Sequence, residues 1–466
     1  MIALEDSEPK AELEVNDSKV EVEVSESKAE VVNFVPKPEK VDDAELLCNG
    51  DTDRFAPPYV QKLEELDVTV TFLCDLALKA LSLEPDATTA AIARRLQLGM
   101  LVTDSVLQRL TRDKIIEMKG VVGMHNHRYG MLDRGWTELN RVMVINSYIG
   151  PAPVSLNAYS EMLVKQVRAR LPATRKALER AMADIVMSDA AKQTLGLVAS
   201  SGRSLFLSGP SGNGKTAMAR SLVDAVVGDL WIPHAIEVDG QVIRLFDPHT
   251  HHPAETTCTD FDQRWIKIHP PLVVVGGELT IESMELTNTA THRFYEAPFQ
   301  LKSNGGVLVV DDLGRQRCSA TELLNRWIIP LEQRHDYLTL TTGKKIQVPF
   351  EQVIIFATNL TVSDIADEAF LRRMGYRLYV MTPGPDTYAT IFRRYARSRG
   401  LSYEPSLLTH LEQRYGKEQR EPKACEPRDL IDRAVEVCKF RREAVRLTKE
   451  TLDMAWDGYF GASASG

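Results

Sequence analysis

Cysteine is scarce: the chain has six in 466 residues, at positions 48, 74, 258, 318, 425 and 438, with no paired spacing. Thiols scattered in this way build no disulfide or metal framework and fit a reducing cytoplasm. Long hydrophobic runs are missing too. No apolar stretch approaches the ~18–20 residues a membrane span needs, and the acidic N-terminus is no signal peptide. A basic excess is absent as well, for the net charge is −9. Residues 1–50 carry 14 acidic and 5 basic side chains and account for all of it. The rest of the chain is neutral, so charge does not direct the folded part toward nucleic acid.

What is present is a soluble, globular composition, 44% hydrophobic and 26% charged, in a chain long enough for two to four domains. Residues 1–56 alternate valine with glutamate (Val20-Glu21-Val22-Glu23-Val24) and are rich in Lys, Ser and Pro. They are expected to form a disordered acidic tail; the competing reading is a short edge strand. Residues 57–150 read as a winged-helix domain. Helical apolar spacing covers Val68–Leu83, Thr88–Leu98 and Leu101–Ile116, and strands near 117–120 and 128–132 flank a flexible tip. A DNA reader would use Gln108, Arg109, Arg112 and Lys114 on the third helix and His125, His127 and Arg128 in the wing. Yet the segment holds 11 basic and 11 acidic residues, which favours a protein-docking wing.

Residues 209–216 (Gly209, Pro210, Ser211, Gly212, Asn213, Gly214, Lys215, Thr216) complete the pattern G-x-x-x-x-G-K-[ST]. The apolar run Ser204–Leu207 before it predicts a strand and Ala217–Val227 after it a helix, the context a phosphate loop needs. Glycines turn backbone N–H groups toward phosphate, Lys215 reaches the β/γ oxygens, and the Thr216 hydroxyl holds Mg²⁺. The loop therefore specifies a nucleoside triphosphate. About 90 residues on, Gly305-Gly306-Val307-Leu308-Val309-Val310-Asp311-Asp312 predicts a buried parallel strand with two acids at its carboxyl end. Asp311 suits Mg²⁺, through water, and Asp312 suits the attacking water. A third apolar strand runs Val353–Asn359, after a hairpin of 336–340 and 345–349 around Thr341-Thr342-Gly343-Lys344.

Phosphate loop, acid strand, hairpin and Phe356-Ala357-Thr358-Asn359, in this order, resemble an AAA+ ATPase, in the broad MoxR-like group with a hairpin before sensor 1. The resemblance covers roughly residues 170–455. It implies an α/β fold: a P-loop core of parallel sheet sandwiched by helices over 151–382, a helical lid over 383–460 and a flexible tail at 461–466. It implies ATP and Mg²⁺ as ligands, with Thr216 and Asp311 at the metal. Asn359 matches sensor 1, Arg428 in Glu426-Pro427-Arg428 matches sensor 2, and Arg373 matches the finger that reaches a neighbour's ATP, with Arg372 as the alternative. The family's acid pair usually ends in Glu; here it is Asp312, which raises slow hydrolysis. No Gly-Ala-Phe-Thr-Gly-Ala loop and no aromatic pore loop occurs.

A finger acting in trans implies a homo-oligomeric ring, expected to be a hexamer. Three roles follow: an ATPase that remodels a protein client, a DNA-directed motor, loader or regulator using 57–150, and a slow nucleotide-switched scaffold. Residues 230–304 are expected to be family-specific, with one strand at 272–277. His249, His251, His252 and Cys258 lie close together there, but their spacing fits a solvated loop better than a structural zinc site.

Overall fold

The computed structural model describes residues 52–461, apart from 227, 289–292, 362–364 and 366–367. The chain divides into two units, Met1–Leu47 and Cys48–Gly466. The first, with most of the expected acidic tail, lies outside the described residues, as do 462–466. Among the described residues no helix is long and apolar enough to cross a membrane.

The second unit starts with helices Val70–Leu83, Thr89–Leu96 and Met100–Arg112. Thr69 and Thr88 cap the first two, each accepting an N–H of the opening turn on its side-chain oxygen. Strands Ile116–Gly123 and Asn126–Met131 pair antiparallel, and helix Asp133–Ile145 follows. The hairpin is longer than the sequence predicts. Val121 and Val122 continue the first strand, and the turn shrinks to Met124 and His125, the latter at φ 53°. Leu73, Leu76, Leu107, Leu110 and Tyr129 form the core of this region.

The ATPase-like core is a five-stranded parallel sheet. Across the sheet the strands run Tyr376–Tyr379, Leu205–Ser208, Val353–Thr358, Val307–Val310, Leu272–Val275. Three of them are buried along their whole length, as expected for strands covered on both faces. The two-residue period divides their side chains between the faces. Leu205, Leu207, Val307 and Val309 pack with Leu195 and Val198 of helix Asp189–Ser201 and Met218 of helix Lys215–Ser221. Phe206, Leu308 and Val310 pack with Leu323, Leu324 and Trp327 of helix Ala320–Gln333. The C-terminal helices Pro385–Ser398, Ser406–Lys417, Glu426–Arg441 and Lys449–Phe460 enclose Phe392, Leu411, Tyr415, Leu430 and Trp456.

Residues 230–304 hold far more structure than the single predicted strand. Leu230–Pro233 pairs antiparallel with Trp265–Ile268. A second sheet joins Val154–Ser155, Ala235–Val238, Gln241–Arg244, Tyr295–Glu296 and Thr287–Asn288. Hairpin His335–Thr339/Lys345–Pro349 packs on this insert through Leu338, Leu340, Ile346 and Val348, and the Tyr295 hydroxyl accepts the Thr341 N–H at 2.8 Å. Arg264, almost fully buried, gathers Asp262, Asp67 and the Pro153 carbonyl, and Lys267 bonds Asp53 at 2.9 Å. These bonds clamp the first described residues to the insert.

The histidines are not all in a solvated loop. His251 is 1% exposed; its Nδ1 accepts the Asp247 N–H at 3.0 Å and its Nε2 donates to the Lys302 carbonyl at 2.8 Å. Both ring nitrogens are committed to the backbone, which removes this residue as a metal ligand. Nearby, the His234 ring stands edge-on to Phe246, 5.2 Å between centroids.

Burial pushes the His234 pKa down to about 4. The folded value lies below the unfolded one, so its stabilisation is complete above about pH 6.5 and is lost as pH falls toward 4. Between pH 7 and 5 the protein should lose about 2 kcal/mol more than a His234→Phe variant, as measured by urea unfolding at the two pH values. Equal losses would show that His234 titrates normally.

Candidate nucleotide site

Parallel strands place their carboxyl ends on one edge, where Ser208 stands opposite Thr358 and Val310 opposite Phe356, each strand end followed by residues of the site. Gly209 leaves its strand at φ 136°, and a Cβ there would stand 2.3 Å from the Val380 carbonyl oxygen. Only glycine lets the loop start so close to the neighbouring chain. Gly214, at φ 84°, then opens helix Lys215–Ser221.

Lys215 is 6% exposed. Its ammonium donates to the carbonyls of Gly209 at 2.8 Å and Pro210 at 2.9 Å, and to Asn359 Oδ1 at 2.5 Å. Burial draws its pKa below the ordinary lysine value, while Asp312 and then Asp311 pull it back up. The Asn359 Nδ2 donates in turn to Asp312 Oδ1 at 3.0 Å. Beside this relay, the Thr216 hydroxyl donates to Asp311 Oδ2 at 2.8 Å, and the Asp312 N–H donates to Asp311 Oδ1 at 3.0 Å. Five of the expected residues, Lys215, Thr216, Asp311, Asp312 and Asn359, are thus linked by hydrogen bonds. Thr216 and Asp311 offer hard oxygen donors side by side, a donor set that fits Mg²⁺.

The loop also touches the C-terminal helical region, which the sequence did not reveal. The Cys425 N–H donates to the Gly212 carbonyl at 2.9 Å and the Ala424 N–H to Asn213 Oδ1 at 3.2 Å. Asn213 is 3% exposed and its Nδ2 has no hydrogen-bond partner among the described residues, a donor left over in an anion-binding loop. Ser211 lies exposed at the loop's outer turn.

The three arginines stand apart from this cluster. Arg373 donates to Glu332 of helix Ala320–Gln333 at 2.5 Å, Arg372 pairs with Glu368 one turn back at 2.8 Å, and Arg428 pairs with Asp429 at 3.1 Å. Side-chain exposure is 28% for Arg373 and 75% for Arg372. The more open guanidinium therefore belongs to the alternative finger.

Comparison with known proteins adds little beyond this geometry. One family model matches, a domain of unknown function (DUF8689) over residues 384–458. No curated protein matches. Among solved structures, NtrX from Brucella abortus in complex with ADP is 16% identical, with 59% of this chain and 56% of that one covered and a TM-score of 0.37. RuvB from Thermotoga maritima, described as a Holliday junction branch migration motor, is 12% identical, with 63% and 72% covered and a TM-score of 0.35. The chain spans little more than half the length of NtrX.

Thr216→Val keeps the side-chain shape and deletes one hydrogen bond to Asp311. It should cost about 1 kcal/mol of stability or less, while abolishing the gain in affinity for a fluorescent ATP analogue that Mg²⁺ confers on the unaltered protein. A retained Mg²⁺ effect would place the cation elsewhere.

Proposed function

We propose that the protein is an AAA+ ATPase that binds ATP with Mg²⁺ and hydrolyses it to ADP and phosphate, acting as a cytoplasmic ring, a hexamer, on a protein client. One observation carries this reading: the chain of bonds from Lys215 through Asn359 to Asp312, beside the Thr216–Asp311 pair. Bound Mg²⁺ would supply charge neutralisation at the phosphates, held by Thr216 and Asp311. The residues divide the remaining work. Lys215 faces the developing charge on the β/γ oxygens, and Asn359 and Asp312 accept and orient the attacking water. The water oxygen bonds to the γ-phosphorus as a water proton passes to the Asp312 carboxylate, the bond to the β–γ bridging oxygen breaks, and its electron pair leaves with ADP. Arg373 or the more open Arg372 from a neighbouring subunit and Arg428 from the lid would complete the site.

The region 57–150 is read as a winged helix that docks protein. Three basic side chains at the wing are engaged by acceptors of the same region, though exposed: Arg128 donates to the Asp86 carbonyl at 3.0 Å, Lys119 pairs with Asp86 at 2.7 Å, and His125 faces Asp104 at 3.2 Å. The wing tip presents Val121 and Met124 instead, 73% and 89% exposed. An apolar tip suits a protein surface better than phosphate. The DNA-directed reading keeps Arg109 and Arg112, exposed on the third helix.

Steady-state ATP hydrolysis at rising protein concentration, with Lys215→Ala as the blank, tests both parts. Specific activity should climb steeply as subunits assemble and should ignore added duplex DNA. Full activity in a demonstrated monomer would eliminate the trans finger, and strong stimulation by DNA would make the winged helix a DNA reader.

A further inference from the structure

Asp312 occupies an unusual backbone conformation. Its φ is 49°, in the left-handed region, where Asp and Asn are far more frequent than residues with longer side chains. Gly314, two residues on, is also left-handed at φ 99°. The chain must therefore reverse its twist twice immediately after the Val307–Val310 strand, and the reversal aims the Asp312 carboxylate at Asn359, away from the Thr216–Asp311 pair.

Two devices hold this turn. From the sheet, the Leu313 N–H donates to the Ala357 carbonyl at 2.8 Å, and the buried Thr358 hydroxyl donates to the Leu313 carbonyl at 2.8 Å. These bonds fix the turn's middle, and the Arg315 N–H closes on the Asp312 carbonyl at 3.0 Å, which leaves the Asp311 carbonyl unengaged by the main chain. The second device is Gln316. Its Nε2 donates to the carbonyl of Asp311 at 3.0 Å and of Asp312 at 3.2 Å, and its Oε1 accepts the Gly314 N–H at 2.7 Å. One primary amide thus spans the turn, using both of its hydrogen-bonding ends. Among the described residues Gln316 makes these hydrogen bonds to backbone groups of the turn, so its effect passes through the backbone that carries the acids.

We propose that Gln316 is a positioning residue for ATP hydrolysis: its side-chain amide braces the Asp311–Gly314 turn in the left-handed form that points the Asp312 carboxylate at Asn359. The inference rests on the ATPase reading above. Removing the brace frees Asp312 to return to the commoner right-handed or extended region, with its carboxylate off the water position. Lys215 and Thr216 belong to other elements and stay in place. The effect should fall on turnover and spare nucleotide binding.

Two substitutions test it. Gln316→Ala removes all three bonds. Gln316→Glu keeps the shape and the acceptor toward Gly314 but removes both donors. Each should lower kcat about tenfold or more, with KM for ATP and the equilibrium affinity for a fluorescent ATP analogue within about twofold of the unaltered protein. Gln316→Glu should also melt close to the unaltered protein, which separates positioning from loss of fold. Unchanged kcat in both variants, or a fall in analogue affinity as large as the fall in kcat, would overturn the assignment while leaving the ATPase reading intact. Hydrolysis by the unaltered protein no faster than by Lys215→Ala would overturn both.

Discussion

A lysine ammonium that is almost wholly removed from water must find oxygen elsewhere, and the arrangement of the core follows from how Lys215 does so. Its three partners come from the phosphate loop's own carbonyls and from the end of the adjacent strand in the sheet. An unpaired buried cation would cost several kcal/mol, so the loop and the end of the Val353–Thr358 strand are obliged to stay together. That adjacency in turn requires Leu205–Ser208 and Val353–Thr358 to be sheet neighbours, with Val307–Val310 on the far side delivering the two acids. The apolar layers on each face support this edge: alternate residues of the same strands bury against different helices.

Much of this was legible before any coordinates. The loop pattern, the four-residue apolar run before two aspartates, and the run ending in Asn359 each combine a length, a polarity switch and a terminal polar group, and those are local properties of sequence. The helices of the lid carry an apolar stripe that is equally local. What escaped was set by tertiary contact. The strands of the insert are two to four residues long, too short for a two-residue period to stand out, and several exist only because a distant segment such as Val154–Ser155 pairs with them. His251 looked like a solvated or metal-binding residue because nothing in His249–His252 announces that the Asp247 N–H and the Lys302 carbonyl will enclose its ring. The lid's bonds to Gly212 and Asn213, and the Gln316 brace, likewise join residues whose relation only the folded chain defines.

The exchange of the usual glutamate for Asp312 has a conformational side. A left-handed backbone favours a short polar side chain that can bond locally. Asp312 meets that requirement, whereas a longer side chain would have to be held there against its own preference. The shorter acid and the bent turn are matched features, and the side chain's reach is restored by the direction in which the backbone presents it.

The insert's clamp alters how the N-terminal helices relate to the core. Arg264 and Lys267 secure Asp67 and Asp53 to the same strands that the 335–349 hairpin packs against, and the hydrophobic cluster around Leu73 and Leu107 extends to Ala235 and Val242. At the opposite end, the lid meets the phosphate loop through main-chain groups: the N–H of Cys425 on Gly212 and the N–H of Ala424 on the Asn213 side chain. The first of these joins backbone to backbone and has no flexible side chain to stretch. A displacement of the C-terminal helices must therefore carry the loop with it or break these two bonds, which end at Gly212 and Asn213.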